Sequence, residues 1–133
     1  MTSIMALYRR VMSLECKGLC WESCGPVDAS NIERERIAAY TKTHRIPFVD
    51  LSRERSLRVL LEALNGKANV EELFCPYLVD HRCSIHSVRP MVCRLWGSIE
   101  RLPCPHGCEP KGGLLTSQEG YRLMDWSERV PAR

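Results

Sequence analysis

A chain of 133 residues, 44% hydrophobic and 26% charged, has the make-up of one ordinary globular domain spanning 1–133. Its formal net charge of +3 is too small to select a nucleic acid or an anionic surface as partner. No apolar run is long enough to span a bilayer, and the opening MTSIMALYRRVMSLEC is broken by Arg9 and Arg10 and lacks a small-residue cleavage site, so no membrane partner and a cytoplasmic location are expected.

Ile4, Leu7, Tyr8, Val11, Met12 and Glu15 recur at helical spacing and predict an amphipathic helix with Arg9 and Arg10 on its wet side. Cys16, Cys20 and Cys24 follow at steps of four, which on a continuous helix would align three thiols on one narrow stripe. Gly18 weakens that helix and Gly25-Pro26 ends it, so the thiols are expected on a frayed helix end or a loop, facing one side. Ser30 and Glu33 form a capping box for a second helix running to about Thr43, with Ile37, Ala38 and Tyr40 inside and a break at Ile46-Pro47. A third helix starts near Ser52, with Leu57, Leu60, Leu61 and Leu64 as its inner stripe and Asn65-Gly66 as its end. Its charges, Arg53, Glu54, Arg55 and Arg58, read as a solvated face. The stretch 28–73 holds no cysteine and reads as scaffold.

The centre of the chain is CPYLVDHRCSIHSVRPMVCR, from Cys75 to Arg94. Short extended segments at 74–78 and 83–85 flank a tight turn at Asp80, His81 and Arg82, a hairpin that would bring Cys75 and Cys83 together. Ser87 is the expected N-cap of a helix with Pro90 in its first turn, where a missing N–H costs nothing. Cys93 and Arg94 come one turn later, so the positive helix start is expected to lower the Cys93 thiol pKa and favour the metal-binding thiolate. Arg89 and Arg94 read either as cations beside an anionic thiolate centre or as structural ion pairs. The prolines and glycines of 102–113 exclude regular structure around Cys104-Pro-His-Gly-Cys108, a chelating segment with His106 as a further ligand or a solvent-facing loop residue. Thr116 and Glu119 form a second capping box, opening a last helix in which Tyr121, Met124, Trp126 and Val130 are available to pack. The expected fold is mainly α, four to five helices with a short hairpin near 74–86 and metal-stapled loops.

Eight cysteines exceed what a core of this size needs for stability and call for a chemical reason. In a reducing cytoplasm that reason is metal before disulfides; the alternative is a disulfide framework in an exported protein. Cys16, Cys20, Cys24, Cys75, Cys83, Cys93, Cys104 and Cys108 are therefore the candidate metal and cofactor ligands, enough for two four-cysteine sites or for one cluster plus spare thiols. For a single cluster, Cys83 and Cys93 are expected to be joined by cysteines of the first group and of the 104–108 loop. No cysteine pair has the x2 spacing most typical of zinc knuckles, while scattered single ligands suit the wider body of a 4Fe–4S cluster. Soft-ligand chemistry and spacing favour an iron–sulfur cluster, with zinc as the alternative. His44, His81 and His86 are weaker ligand candidates.

The segment CPYL…CSIHSVRPMVCR resembles the CxxCxxCC, or YkgJ-like, family of small cysteine-cluster proteins. Its signature C-x-I-x-x-x-R-P-x-x-C-R is met by Cys83, Ile85, Arg89, Pro90, Cys93 and Arg94, and the Cys75-Pro76-Tyr77-Leu78 lead-in and the capped helix at 28–33 also look like the family. The first cluster departs from the pattern, with Cys16, Cys20 and Cys24 where the family usually shows C-x-x-C-x-x-C-C. The resemblance implies chelation of zinc or iron, with iron–sulfur binding included.

These readings give a cytoplasmic protein with a cysteine-ligated iron–sulfur cluster in a structural, redox-sensing or electron-transfer role, or alternatively a zinc-stapled interaction module. An unidentified protein partner stays open. Arg82, Arg89, Arg94 and Arg101, with Trp96 and Tyr77 as exposed-ring candidates, form no uninterrupted basic run, so nucleic acid is not the expected partner. No Ser-His-Asp order, phosphate-cradling glycine loop, HExxH or C-x-x-C pair points to an enzyme.

Overall fold

The structure is a computed structural model that describes residues 3–11, 24–67 and 69–132. Cys16, Cys20, Gly18 and the second half of the first predicted helix lie outside the described residues. The fold is mainly α with one small hairpin, as expected. Helices α1 (Ile4–Tyr8), α2 (Asn31–His44), α3 (Arg53–Leu64), α4 (Met91–Leu95) and α5 (Ser117–Arg129) alternate with 3-10 turns at Val70–Leu73 and His86–Val88 and with strands β1 (Leu78–Val79) and β2 (Arg82–Cys83). No helix among the described residues is long and apolar enough to cross a membrane.

The local rules place the helix ends. Ser30 Oγ accepts from Glu33 N while the Glu33 carboxylate accepts from Ser30 N, and Thr116 and Glu119 repeat this box at α5. Ser52 caps α3 through Arg55 N. Arg45 ends α2 in a left-handed conformation before Ile46-Pro47. The hairpin is shorter than predicted because Leu78 N closes a turn on Cys75 O at one end and the chain enters a turn and the 3-10 segment directly after Cys83 at the other; Asp80 and His81 take positive φ, 49° and 64°, the pattern of a two-residue type I′ turn. Leu78 faces Cys83 and Val79 faces Arg82 across it.

Two apolar cores meet at α2. Ile32 joins Ile4, Leu7 and Tyr8 of α1, Met91 and Leu95 of α4, Ile99, and Leu123 of α5. One helical turn and a residue further on, Ile37 joins Ala29, Leu51, Cys75, Tyr77 and Ile85. The cysteine-rich centre of the chain thus packs on the second core, while α4, which carries Cys93, packs on the first through Met91 and Leu95.

Several predicted contacts are rearranged. The leucine stripe of α3 faces solvent, and the buried positions of that helix are Ser56 and Val59. Periodicity defines a stripe but not what covers it. Here α3 turns its smaller face inward, and Arg58 pairs with Glu62 within the helix and with Glu72 of the following 3-10 turn. In α2, Ile32, Glu33, Ile37 and Thr41 are buried, while Ala38 and Tyr40 are half-buried. In α5 the buried residues are Gly120, Leu123 and Ser127, while Tyr121 and Trp126 are exposed and Met124 and Val130 half-buried. Arg101 donates to the Tyr121 hydroxyl, and Arg10 lies 5.1 Å from the Trp126 ring centroid. Ser87 does not cap α4: it lies in the 3-10 turn, and Pro90 stands at the N-cap without a side-chain bond.

A candidate metal centre of four thiols

Four cysteines from separate chain segments share one electrostatic neighbourhood. Cys24 lies on the extended segment before α2, and its carbonyl accepts the Cys75 N–H at 2.8 Å. That main-chain bond brings the two side chains together, and the Cys24 thiol hydrogen-bonds to the Cys75 sulfur. Cys83 ends β2, directly after the turn that folds the hairpin back toward Cys75. Cys93 is held by α4.

Cys75 opens a tight turn. Pro76 presets the backbone, Leu78 N donates to Cys75 O at 3.0 Å, and Tyr77 N–H points to the Cys75 sulfur. Tyr77 anchors this turn from inside. It is 1% exposed, and its hydroxyl both accepts from Val49 N at 2.8 Å and donates to Val49 O at 2.7 Å. Tyr77 is therefore a buried strut and not an exposed ring; Trp96 is half-buried. Cys83 receives a matching main-chain donor from Ile85 N–H.

The charges explain how the thiols differ. Cys75 is held down at about 7 by the Cys24 hydrogen bond, helped by Tyr77 N–H and the Arg55 guanidinium against burial. Cys24 is driven well above the thiol range by the same hydrogen bond, by burial and by the charges of Cys75, Cys83 and Cys93. The pair thus releases one proton readily and keeps the second. Cys83 is raised by burial and by Cys75, against Ile85 N–H and Arg89. Cys93 is pushed up to about 12 by burial and by Cys75, Cys83 and Glu33, with Arg89 opposing. The expected lowering of the Cys93 pKa by a helix start is not found: burial and neighbouring negative charge outweigh it, and the first amide of α4 is already taken by Glu33.

The two arginines of the motif divide their roles. Arg89 places its charge near Cys83 and Cys93 while its Nη1 donates to His86 O at 2.8 Å. Arg94 is structural. It donates to the carbonyls of Arg89 and Ser87, and its guanidinium stacks 3.7 Å from the Tyr8 ring centroid. Glu33 and Arg55 were not legible as parts of this centre. Glu33 belongs to a helix cap, and Arg55 sits in a run of charges that looks fully solvated. Yet Arg55 Nη1 is buried without a hydrogen-bond partner among the described residues, on the α3 side of Cys75. A polar position (Ser56) beside an apolar one (Val59) on the inner side of α3 was the available signal.

Cys104 repeats the Cys75 turn. Gly107 N donates to Cys104 O at 3.1 Å, and His106 N donates to Cys104 Sγ at 3.4 Å. Gly107 takes a φ of +80°, which a side chain would strain. Cys108 is buried, Cys104 half-buried and His106 exposed. The charge interactions of the thiols link Cys24, Cys75, Cys83 and Cys93 to one another.

The six cysteines among the described residues stand as thiols. Among these residues no group of three or more His, Cys, Asp or Glu side chains has the spacing of a bound metal ion. The four thiols are gathered within charge range without closing to ligand distance. Their donor chemistry nonetheless suits a soft metal: sulfur ligands, main-chain N–H groups aimed at two of them, and Arg55 and Arg89 beside them. Comparison with family models, with curated proteins and with solved structures finds nothing that matches this chain.

Proposed function

We propose that this protein is a cytoplasmic metal-binding protein in which Cys24, Cys75, Cys83 and Cys93 ligate an iron–sulfur cluster, 4Fe–4S favoured. The observation that carries this reading is the charge coupling of these four thiols, drawn from four chain segments. Bound iron would supply one-electron chemistry or a rigid four-way staple. Cys75, with its low pKa, is the thiol ready to ligate first. Tyr77 N–H and Ile85 N–H would stabilise ligand charge at Cys75 and Cys83. Arg55 and Arg89 would offset the negative charge of the assembled thiolates. Cys16, Cys20, Cys104 and Cys108 remain available for a second site.

A zinc-stapled interaction module is the second reading. It is favoured by the repeated Cys-Pro-x-x turn at Cys75 and Cys104, a tight thiolate-presenting loop that suits a structural ion as well as a cluster. Protein purified without oxygen should be analysed for iron, acid-labile sulfide and zinc, with an absorption spectrum. A broad band near ~400 nm with about four irons per chain supports the cluster. Zinc with no visible absorption supports the staple. Protein with neither metal after expression in iron- and zinc-replete medium rejects both readings.

A further inference from the structure

The apolar stripe of α3 is a feature of the described residues that the proposed metal centre does not use. Leu57, Leu60, Leu61 and Leu64 are 48%, 50%, 58% and 84% exposed, at the i, i+3, i+4, i+7 spacing of a helix seam. The inner side of the same helix is occupied by Ser56 and Val59, and the leucine face is left exposed among the described residues. The four leucines expose on the order of 400 Å², the size at which a patch on a monomer is usually functional.

We propose that two copies of this chain associate through this face, with their α3 helices packed antiparallel about a two-fold axis. The charges around the stripe select both the occupant and its direction. Exposed Arg53 and Glu54 stand at the start of α3, and exposed Lys67 stands just beyond its end. In an antiparallel pair Leu57 meets Leu64 of the second copy, and Leu60 and Leu61 meet at the axis. Glu54 then faces Lys67, and Arg53 faces the carbonyl end of the opposite helix, where a cation is favoured. A parallel pair would set Arg53 against Arg53 and Glu54 against Glu54. An isologous surface must be complementary to itself, and this one is so in the antiparallel sense alone. The leucine surface is about half of each partner's share in a standard interface, which fits a reversible dimer with a dissociation constant of about 10–100 µM.

The test is sedimentation equilibrium of the full chain, under reductant and without oxygen, across about 1–500 µM, a range set by that expected constant. A reversible dimer is expected. Leu61→Lys, at an exposed position, should remain monomeric throughout while keeping its far-UV spectrum and melting temperature. Glu54→Lys and Lys67→Glu should each weaken the dimer by about threefold to tenfold, and the double variant should return to within about twofold of the native constant. A native chain that stays monomeric, a Leu61→Lys variant that dimerises like the native chain, or a double variant no better than the singles would each overturn the proposal.

Discussion

The Glu33 carboxylate accepts the main-chain N–H of Met91 at 2.5 Å, across 58 residues of sequence. One side chain therefore caps two helices. Its Oε1 closes the box at the start of α2, and its Oε2 takes the first amide of α4 together with the Tyr8 hydroxyl of α1. Glu33 is 3% exposed, and the Arg36 and Arg94 guanidiniums lie over the ring of Tyr8, whose hydroxyl donates to it. Burial and Glu33 together hold the Tyr8 hydroxyl above its usual range. Because α4 carries Cys93, this carboxylate sets the position of one of the four thiols.

Replacement of Glu33 should therefore be costly. Glu33→Ala leaves the Met91 amide and the Tyr8 hydroxyl without their acceptor and is expected to lose about 2–4 kcal/mol. Glu33→Gln keeps an acceptor but turns an N–H₂ toward one of the donors, and should lose roughly half as much. Denaturant titration of both variants checks the order; equal stability of Glu33→Ala and the native chain would refute the shared-cap role.

Tyr77→Phe removes a hydroxyl that serves both the N–H and the C=O of Val49. Both groups then have to find water or remain unpaired in a buried site, at about 1–3 kcal/mol. Since the same residue's N–H faces Cys75, the variant should also raise the pH at which Cys75 reacts with an alkylating reagent. Unchanged stability together with an unchanged alkylation profile would contradict the strut.

Gly120→Ala sets two effects against each other. Alanine gains about 1 kcal/mol of helix propensity over glycine inside α5. The new Cβ, however, would stand 3.0 Å from Ile99 Cγ2 and 3.1 Å from its Cδ1, and Ile99 is itself buried. Overpacking of this kind costs about 1–3 kcal/mol, so a lower melting temperature is expected. Gly120→Ala combined with Ile99→Val should recover part of the loss, because valine lacks the Cδ1 that stands at 3.1 Å and leaves only the Cγ2 contact.

The thiol pKa values make the metal-free protein pH-sensitive in two directions. Cys75 falls from 9.0 to about 7 on folding, so its contribution is fully present above the unfolded value and is lost as pH falls through about 7. Cys93 rises from 9.0 to about 12, so its contribution is present below 9.0 and is lost as pH rises toward 12. Denaturation midpoints measured in the presence of reductant and chelator should fall on both the neutral-to-acid side and the alkaline side. Cys93→Ala should flatten the alkaline limb, and Cys24→Ala should move the alkylation midpoint of Cys75 upward.

Much of the scaffold was legible because its signals are local. Ser30 with Glu33, Thr116 with Glu119, Ser52, Asn65-Gly66 and Ile46-Pro47 act within one or two turns of chain, and each stands where its chemistry requires. The cysteine-rich centre was legible for the same reason: the Asp80-His81 turn folds the hairpin that turns Cys83 back toward Cys75. What lay between these elements was not. The four α3 leucines form a stripe whichever way the helix rolls, and only packing against the rest of the chain turned Ser56 and Val59 inward. Tyr77 reads equally as a surface ring until Val49 arrives to accept and donate at its hydroxyl. Glu33 reads as a cap until α4 and α1 are brought to it. Helix ends, turns and the identity of the thiols are matters of neighbouring residues, and so the chain order alone decides them. Burial, the pairing of Cys24 with Cys75 and the opposite shifts of Cys75 and Cys93 depend on groups far apart in sequence, whose desolvation and mutual charge exist only once the chain has closed around them.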